Sequence, residues 1–208
     1  MTMIGSWLVG YSQCPPAGPL SSPYSENFDA MTPGQSGSFT NCYVGTTVTP
    51  RWESEVLTST NSSGTGPIGD VCDNATGTYM YLETSGGTTG DTGTFIIPAL
   101  STVGLTTPEL SFSYHMFGAS MGTLDILINT GTTWNSIFTL SGQQQLAETD
   151  PWSDTTISLS AYLNDTIQIK FRGARGTSFT GDISIDGIRV ADPPTCIAPT
   201  NLAWTSVT

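Results

Sequence analysis

Apolar residues in this chain come in short alternating bursts, and that period of two restricts the backbone more than any other property of the sequence. Leu110, Phe112, Tyr114 and Met116 alternate with Ser111, Ser113, His115 and Phe117. Successive side chains of a strand point to opposite faces, so this stretch reads as a half-buried strand. Ile167, Ile169 and Phe171 alternate in the same way with Gln168, Lys170 and Arg172, and Leu124, Ile126 and Ile128 with Thr123, Asp125 and Asn129. Further strand-like segments run from Tyr79 to Glu83, Phe95 to Pro98, Trp134 to Leu140 and Trp152 to Leu159, each bounded by Gly, Pro, Asn or Asp. No segment sustains the 3.6-residue period of a helix. About nine or ten short strands at this spacing, with no helices between them, predict an all-β, antiparallel two-sheet jelly-roll β-sandwich.

The ten residues Gly-Asp-Ile-Ser-Ile-Asp-Gly-Ile-Arg-Val from Gly181 to Val190 carry the most specific signal. Ile183 and Ile185 share one face of a strand, and Asp182, Ser184 and Asp186 share the other. The alternation then breaks, because Ile188 and Val190 fall on the Asp face. One extra residue at Gly187, which tolerates the positive φ of many bulges, returns both to the core side. Asp186 is therefore expected beside a bulge. A carboxylate fixed at such an irregularity suits a hard cation such as calcium, which takes several oxygen ligands. In a jelly roll the first and last strands can lie side by side, which would bring Asp29, next to Phe28, toward Asp186.

A chain of 208 residues has room for one sandwich of about 150 to 200 residues and little more. Seventeen acidic residues against five basic ones give a formal charge of -12. A phosphate backbone or an anionic membrane surface would be repelled, so nucleic acid is an improbable partner. The four cysteines, Cys14, Cys42, Cys72 and Cys196, lack C-x-x-C spacing and the chain has a single His, which argues against zinc. Two disulfides fit better, pointing to an oxidising compartment and a secreted or cell-surface protein. Sequence spacing leaves all three pairings open.

At the N-terminus, residues 1–13 read as the remnant of a secretion signal, its apolar run too short to span a bilayer. Residues 14–192 form the sandwich domain. From Pro193 the text becomes Pro-Pro-Thr-Cys-Ile-Ala-Pro-Thr-Asn-Leu, so residues 193–208 read as a linker and the first strand of a truncated module similar to fibronectin type III. The chain is expected to be part of a longer protein, and its style resembles that of secreted bacterial multi-module proteins.

Several motifs fall in the order found in MAM domains of extracellular proteins. Phe28-Asp29, Trp52, Thr65-Gly66-Pro67 with Asp70, and Gly77-x-Tyr79 with Leu82-Glu83 come first. They are followed by Leu110-Ser-Phe-Ser-Tyr-His-Met-Phe-Gly118, Gly122-Thr-Leu124, Trp152 and Gly181-Asp-Ile-Ser-Ile-Asp186. Over about Tyr24 to Val190 the chain resembles that family. The resemblance implies a jelly roll that mediates adhesion or recognition without catalysis. It also implies one structural Ca2+ held by Asp29, Asp70 and Asp186, with oxygens near Gly69 or Glu26 completing the shell. Cys72 stands where the family has another residue and the final Cys is displaced to Cys196, so the family's disulfides do not transfer. The expectation is Cys42 with Cys72 and, because jelly-roll ends meet, Cys14 with Cys196.

Three functional classes follow. The first is a non-catalytic module recognising an extracellular protein or glycan, with homophilic contact as one form and no insertion into a membrane. The second is a carbohydrate-binding module attached to a secreted hydrolase, with Trp134, Trp152 and Tyr162 as a candidate aromatic platform. An enzyme is the weakest, since a triad would have to use His115. His115, with Ser111 and Ser113 on the same face of its strand, is more simply a hydrogen-bonded polar residue. Asp182 and Asp186 could form a glycosidase carboxylate pair, but a cation explains them with less machinery.

Overall fold

The alternating segments become the strands of two facing antiparallel sheets. The computed structural model describes residues 18–37, 39, 43–56, 60–71 and 77–194. Within them lie β1 (Tyr24–Glu26), β2 (Val44–Gly45), β3 (Arg51–Val56), β4 (Thr78–Glu83), β5 (Thr92–Ile96), β6 (Leu100–Ser101), β7 (Glu109–His115), β8 (Thr123–Asn129), β9 (Asn135–Ser141), β10 (Ser153–Ser158), β11 (Thr166–Ala174) and β12 (Ile183–Ala191). One 3-10 turn, Ser160–Tyr162, is the only helical element among the described residues. The two-residue β2 and β6 are too short to display a period, while β1 lies where the opening strand beside Phe28 is expected. The signal remnant of residues 1–13, the module expected after Pro194 and all four cysteines, with both proposed pairings, lie outside the described residues.

The first sheet runs β10-β7-β12-β4-β3, with β1 also pairing β12; the second runs β2-β5-β11-β8-β9, with β6 on β11. Opening and closing strands do lie side by side, Tyr24 opposite Val190 and Glu26 opposite Ile188. The predicted bulge is present. Between β12 and β7, Asp186 pairs with Ser113 but Arg189 with Ser111, so three steps on one strand match two on the other. Gly187 absorbs the extra residue at φ +60°, a conformation that costs a side chain but not glycine. Ile183, Ile185, Ile188 and Val190 all end up fully buried as a result.

Between the sheets lies one hydrophobic core of mixed aliphatic and aromatic side chains. Phe95 is its hub, with ring centroids 6.0 Å from Phe28, 5.6 Å from Phe39, 5.1 Å from Tyr43, 6.2 Å from Trp52 and 6.1 Å from Phe171. Edge-to-face and tilted pairs of this kind add about 0.5–1.5 kcal/mol each beyond area burial. Leu82 of the first sheet presses on the paired Gly93 and Gly173 of the second. A Cβ at either glycine would lie 2.5 Å from its methyls, so only hydrogen there lets the sheets close.

The outer face of the first sheet is also covered. Residues 60–71 cross it, and Glu53, Tyr79, Tyr81, Ser113, His115, Ser184 and Asp186 are all buried although they point away from the main core. A simple inside-outside reading of β4 and β7 misses this second, polar layer. Alternation identifies which side chains share a face, and gives no information on whether a distant loop lies over it.

Candidate functional site

Four acidic residues were expected to gather where the opening and closing strands meet. Asp186 stands on the outer face of β12 at the bulge, with 1% of its surface exposed. Its Oδ1 accepts the Gly187 N–H at 2.6 Å. Asp70 arrives from the loop that begins Thr65-Gly66-Pro67 and is 6% exposed; its Oδ1 accepts the Val71 N–H at 2.5 Å. The other oxygen sits against Gly77, where a Cβ would be only 1.7 Å away. The glycine before β4 is thus the seat of Asp70. Asp29 lies at the surface and accepts the Thr78 N–H at 3.0 Å, which ties the segment after β1 to the start of β4.

The Asp70 and Asp186 carboxylates adjoin each other, close enough to share a proton. Burial first, then the Asp70 carboxyl and the charge of Asp29, push the Asp186 carboxyl well above the usual carboxylate range. Two buried carboxyls side by side cannot both stay ionised cheaply, so either one of them holds a proton or a cation offsets their charge. The structure therefore brings Asp70 and Asp186 into contact and Asp29 within electrostatic reach. Glu26 is engaged elsewhere: Oε1 accepts the Phe28 N–H at 2.7 Å and Oε2 accepts the Tyr43 hydroxyl at 2.6 Å. Among the described residues no three acidic, His or Cys side chains close around a common point. A hard cation at Asp70 and Asp186 would need backbone or solvent oxygens as well, which is the ordinary donor set of calcium.

Asp182, fully buried, forms a separate site under the same loop. Its Oδ1 accepts the Thr84 N–H at 3.0 Å and the Thr84 hydroxyl at 2.8 Å, and its own N–H donates to Thr65 Oγ1. Burial pushes its carboxyl up to about 7. Oδ2 makes no well-aligned hydrogen bond among the described residues, though the Thr60 hydroxyl stands near it; Ser184 Oγ and both ring nitrogens of His115 likewise make none, Asp150 lying beside the imidazole. His115 stacks against Trp152 at 5.8 Å, and burial pushes its imidazole down to about 4. The Ser113 hydroxyl on the same face donates to Asp154 at 2.6 Å, away from the imidazole. Among the described residues no hydroxyl or thiol hydrogen-bonds to the His115 imidazole, so none is placed as a nucleophile activated by it.

The three aromatics proposed as a platform occupy different places. Trp134, before β9 of the second sheet, lies half-buried beneath the Lys170 ammonium at 3.8 Å. Trp152, before β10 of the first sheet, packs on Tyr79 at 5.5 Å and donates from its indole N–H to the Gly69 carbonyl at 3.2 Å. Tyr162 ends the 3-10 turn and packs on the core.

Comparison with known proteins agrees with this architecture. The family profile described as "MAM domain, meprin/A5/mu" matches residues 36–197. The rat "MAM domain-containing glycosylphosphatidylinositol anchor protein 1" is 32% identical over 131 residues, 61% of this chain and 13% of the relative. The mouse "MAM domain-containing glycosylphosphatidylinositol anchor protein 2" is 30% identical over 139 residues, 62% of the chain and 14% of the relative. The chain thus spans about an eighth of the length of such relatives. Among solved structures, the K1 cleaved adhesin domain of Lys-gingipain from Porphyromonas gingivalis superposes with a TM-score of 0.55 at 16% identity, covering 83% of this chain and 99% of that one.

Proposed function

The chain belongs to the MAM domain family, and from that membership we propose that it is a non-catalytic adhesion or recognition module of a secreted or cell-surface protein, with one structural calcium. Family membership carries the recognition half. The names of relatives point to the cell surface, and no described helix is long and apolar enough to cross a membrane. The lack of a relay at His115 and the seclusion of Asp182 beneath the 60–71 loop weigh against an enzyme. Trp134, Trp152 and Tyr162 are spread over separate elements, so protein recognition is favoured over a sugar-stacking platform.

For calcium, the supporting observation is the buried Asp70–Asp186 pair, which has no cationic side chain recorded beside it. Asp70 and Asp186 would hold the ion, Asp29 would add charge at its margin, and carbonyls near Gly69 would supply neutral oxygens. The ion would tie the 60–71 loop to the closing strand and so contribute to stability by mass action.

The test is binding of the purified chain to immobilised extracellular proteins and to a glycan array, with glycosidase and protease assays run in parallel. Saturable protein binding without turnover is expected. Measured hydrolysis, or binding confined to glycans and lost in Trp134→Ala, would reject the reading.

A further inference from the structure

Between residues 67–71 and 148–154 the surface folds into a groove of about 300 Å3, lined by apolar Pro67, Pro151 and Trp152 and by the acids Asp70, Glu148, Asp150 and Asp154. That volume accepts one long side chain with part of its backbone. We propose that this groove docks a basic, extended segment of a partner protein, with a Lys or Arg side chain entering beside Trp152. The proposal rests on the recognition reading above and names the surface and the partner's chemistry.

Charge is the first argument. None of the five basic residues of the chain lines the groove, and each is engaged elsewhere. Arg51 pairs with Glu53 and Arg172 with Asp125. Lys170 lies over Trp134, while Arg175 and Arg189 donate to the carbonyls of Thr84 and Asp192. No basic side chain of the protein offsets the groove's acids, and with calcium taking up the charge of Asp70 and Asp186 the negative field left for a partner is that of Glu148, Asp150 and Asp154. A cleft with low-dielectric walls focuses such a field, attracting cationic groups and repelling nucleic acid and sulfated glycans.

Exposed apolar surface is the second. Ile68 is 54% exposed on one wall and Leu146 84% exposed on the opposite loop, which favours a peptide that carries apolar side chains next to its basic ones. Trp152 adds an aromatic ring, and cations near an indole gain about 0.5–2 kcal/mol according to how far they are desolvated.

Preorganisation is the third. The Ile68 N–H donates to the Glu148 carbonyl at 3.1 Å, the Gly64 N–H to Glu148 Oε1 at 2.9 Å, and the Trp152 indole to the Gly69 carbonyl at 3.2 Å. Asp150 Oδ2 accepts the N–H groups of Leu146 and Ala147 at 2.7 and 2.9 Å. Both walls are clipped to each other before any partner arrives, so docking need not order them.

The experiment is fluorescence anisotropy of the whole chain, in calcium-containing buffer, with a labelled peptide of alternating arginine and leucine and with a control peptide carrying glutamate for arginine. Saturable binding of the arginine peptide alone is expected, weakening as salt is raised. Glu148→Lys should weaken it about tenfold or more and Ile68→Ser about threefold, while Glu109→Lys, the same charge change at the far end of β7, stays within about twofold. Thermal melts followed by circular dichroism confirm that each variant is folded. Absent binding, equal binding of the glutamate peptide, or binding indifferent to both groove variants overturns the proposal. If Glu148→Lys leaves binding to immobilised extracellular proteins unchanged, the groove is refuted and the recognition reading stands; loss of all protein binding by the unmodified chain removes both.

Discussion

Asp186, on the closing strand, and Asp70, on a loop from the first third of the chain, face each other with carboxylates in contact, each buried. In metal-free protein one proton relieves their repulsion; with calcium bound both would be ionised. Asp186→Asn keeps an oxygen for the Gly187 N–H and removes the charge. The variant is expected to melt higher than the metal-free wild type, with calcium no longer raising its melting temperature. For the wild type, calcium at a hundred times its dissociation constant should add about 2.7 kcal/mol. Melting with and without EDTA at pH 8 checks both expectations, and an EDTA-insensitive wild type rejects the ion.

Two glycines near this site should differ sharply in how much a substitution costs. A Cβ at Gly77 would meet the Asp70 carboxylate at 1.7 Å, so Gly77→Ala must displace Asp70. Stability should fall by about 2 kcal/mol or more, and the calcium response should disappear with it. At Gly187 φ is +60° but the nearest atom to an added Cβ is Ser113 Oγ at 3.8 Å. Gly187→Asn, which tolerates that backbone, should cost no more than about 1 kcal/mol. Urea titrations of the two variants side by side measure the contrast.

Asp182 supplies a pH dependence with a defined sign. Its folded pKa, about 7, lies above the ordinary 3.8, so its contribution is fully present below 3.8 and is lost as pH rises to 7. His115, lowered from 6.5 to about 4, acts oppositely, its contribution being lost as pH falls through that range. Each changes stability by about 1.4 kcal/mol per pH unit within its window, and between about 4 and 6.5 the two largely cancel. Asp182→Asn removes one side of that balance. The stability difference between variant and wild type should be small at pH 4, grow to roughly 4 kcal/mol in favour of the variant by pH 7, and then level off. A constant difference across the range would show that Asp182 titrates normally.

Phe95 touches five other aromatic rings in the core. Phe95→Ala should destabilise by about 3–5 kcal/mol through lost burial and the cavity left behind. Phe95→Leu should recover more than half of that, as chemical denaturation would measure.

What the sequence makes visible here is whatever is encoded locally or by family pattern. The broken alternation at Ile188 shows the bulge, and the order of motifs points to the meeting of Asp70 with Asp186. Glu26 is a different case. Its proximity to Asp29 in sequence suggests a shared ligand set, yet Tyr43 lies near enough in space to claim its oxygen. Trp152 and Ser113 look like surface residues of ordinary strands until the 60–71 loop is seen to cross their face. Such cover depends on the path of a long connection, and no period or turn residue within β7 or β10 records it. The acidic groove is hidden for the same reason, since Asp70 and Asp154 belong to segments far apart in the chain.

The pairing of Tyr24 with Val190 has a mechanical side. Because β1 and β12 are antiparallel, the chain enters β1 and leaves β12 at the same end of the sheet. Tension applied between those two points loads their hydrogen bonds one after another, as a zip is drawn, instead of shearing them together. β1 would peel away at low force and the segment leading to Asp29 would follow, so an ion fastening the Asp70 loop to β12 would reinforce the part of the fold that pulling reaches next.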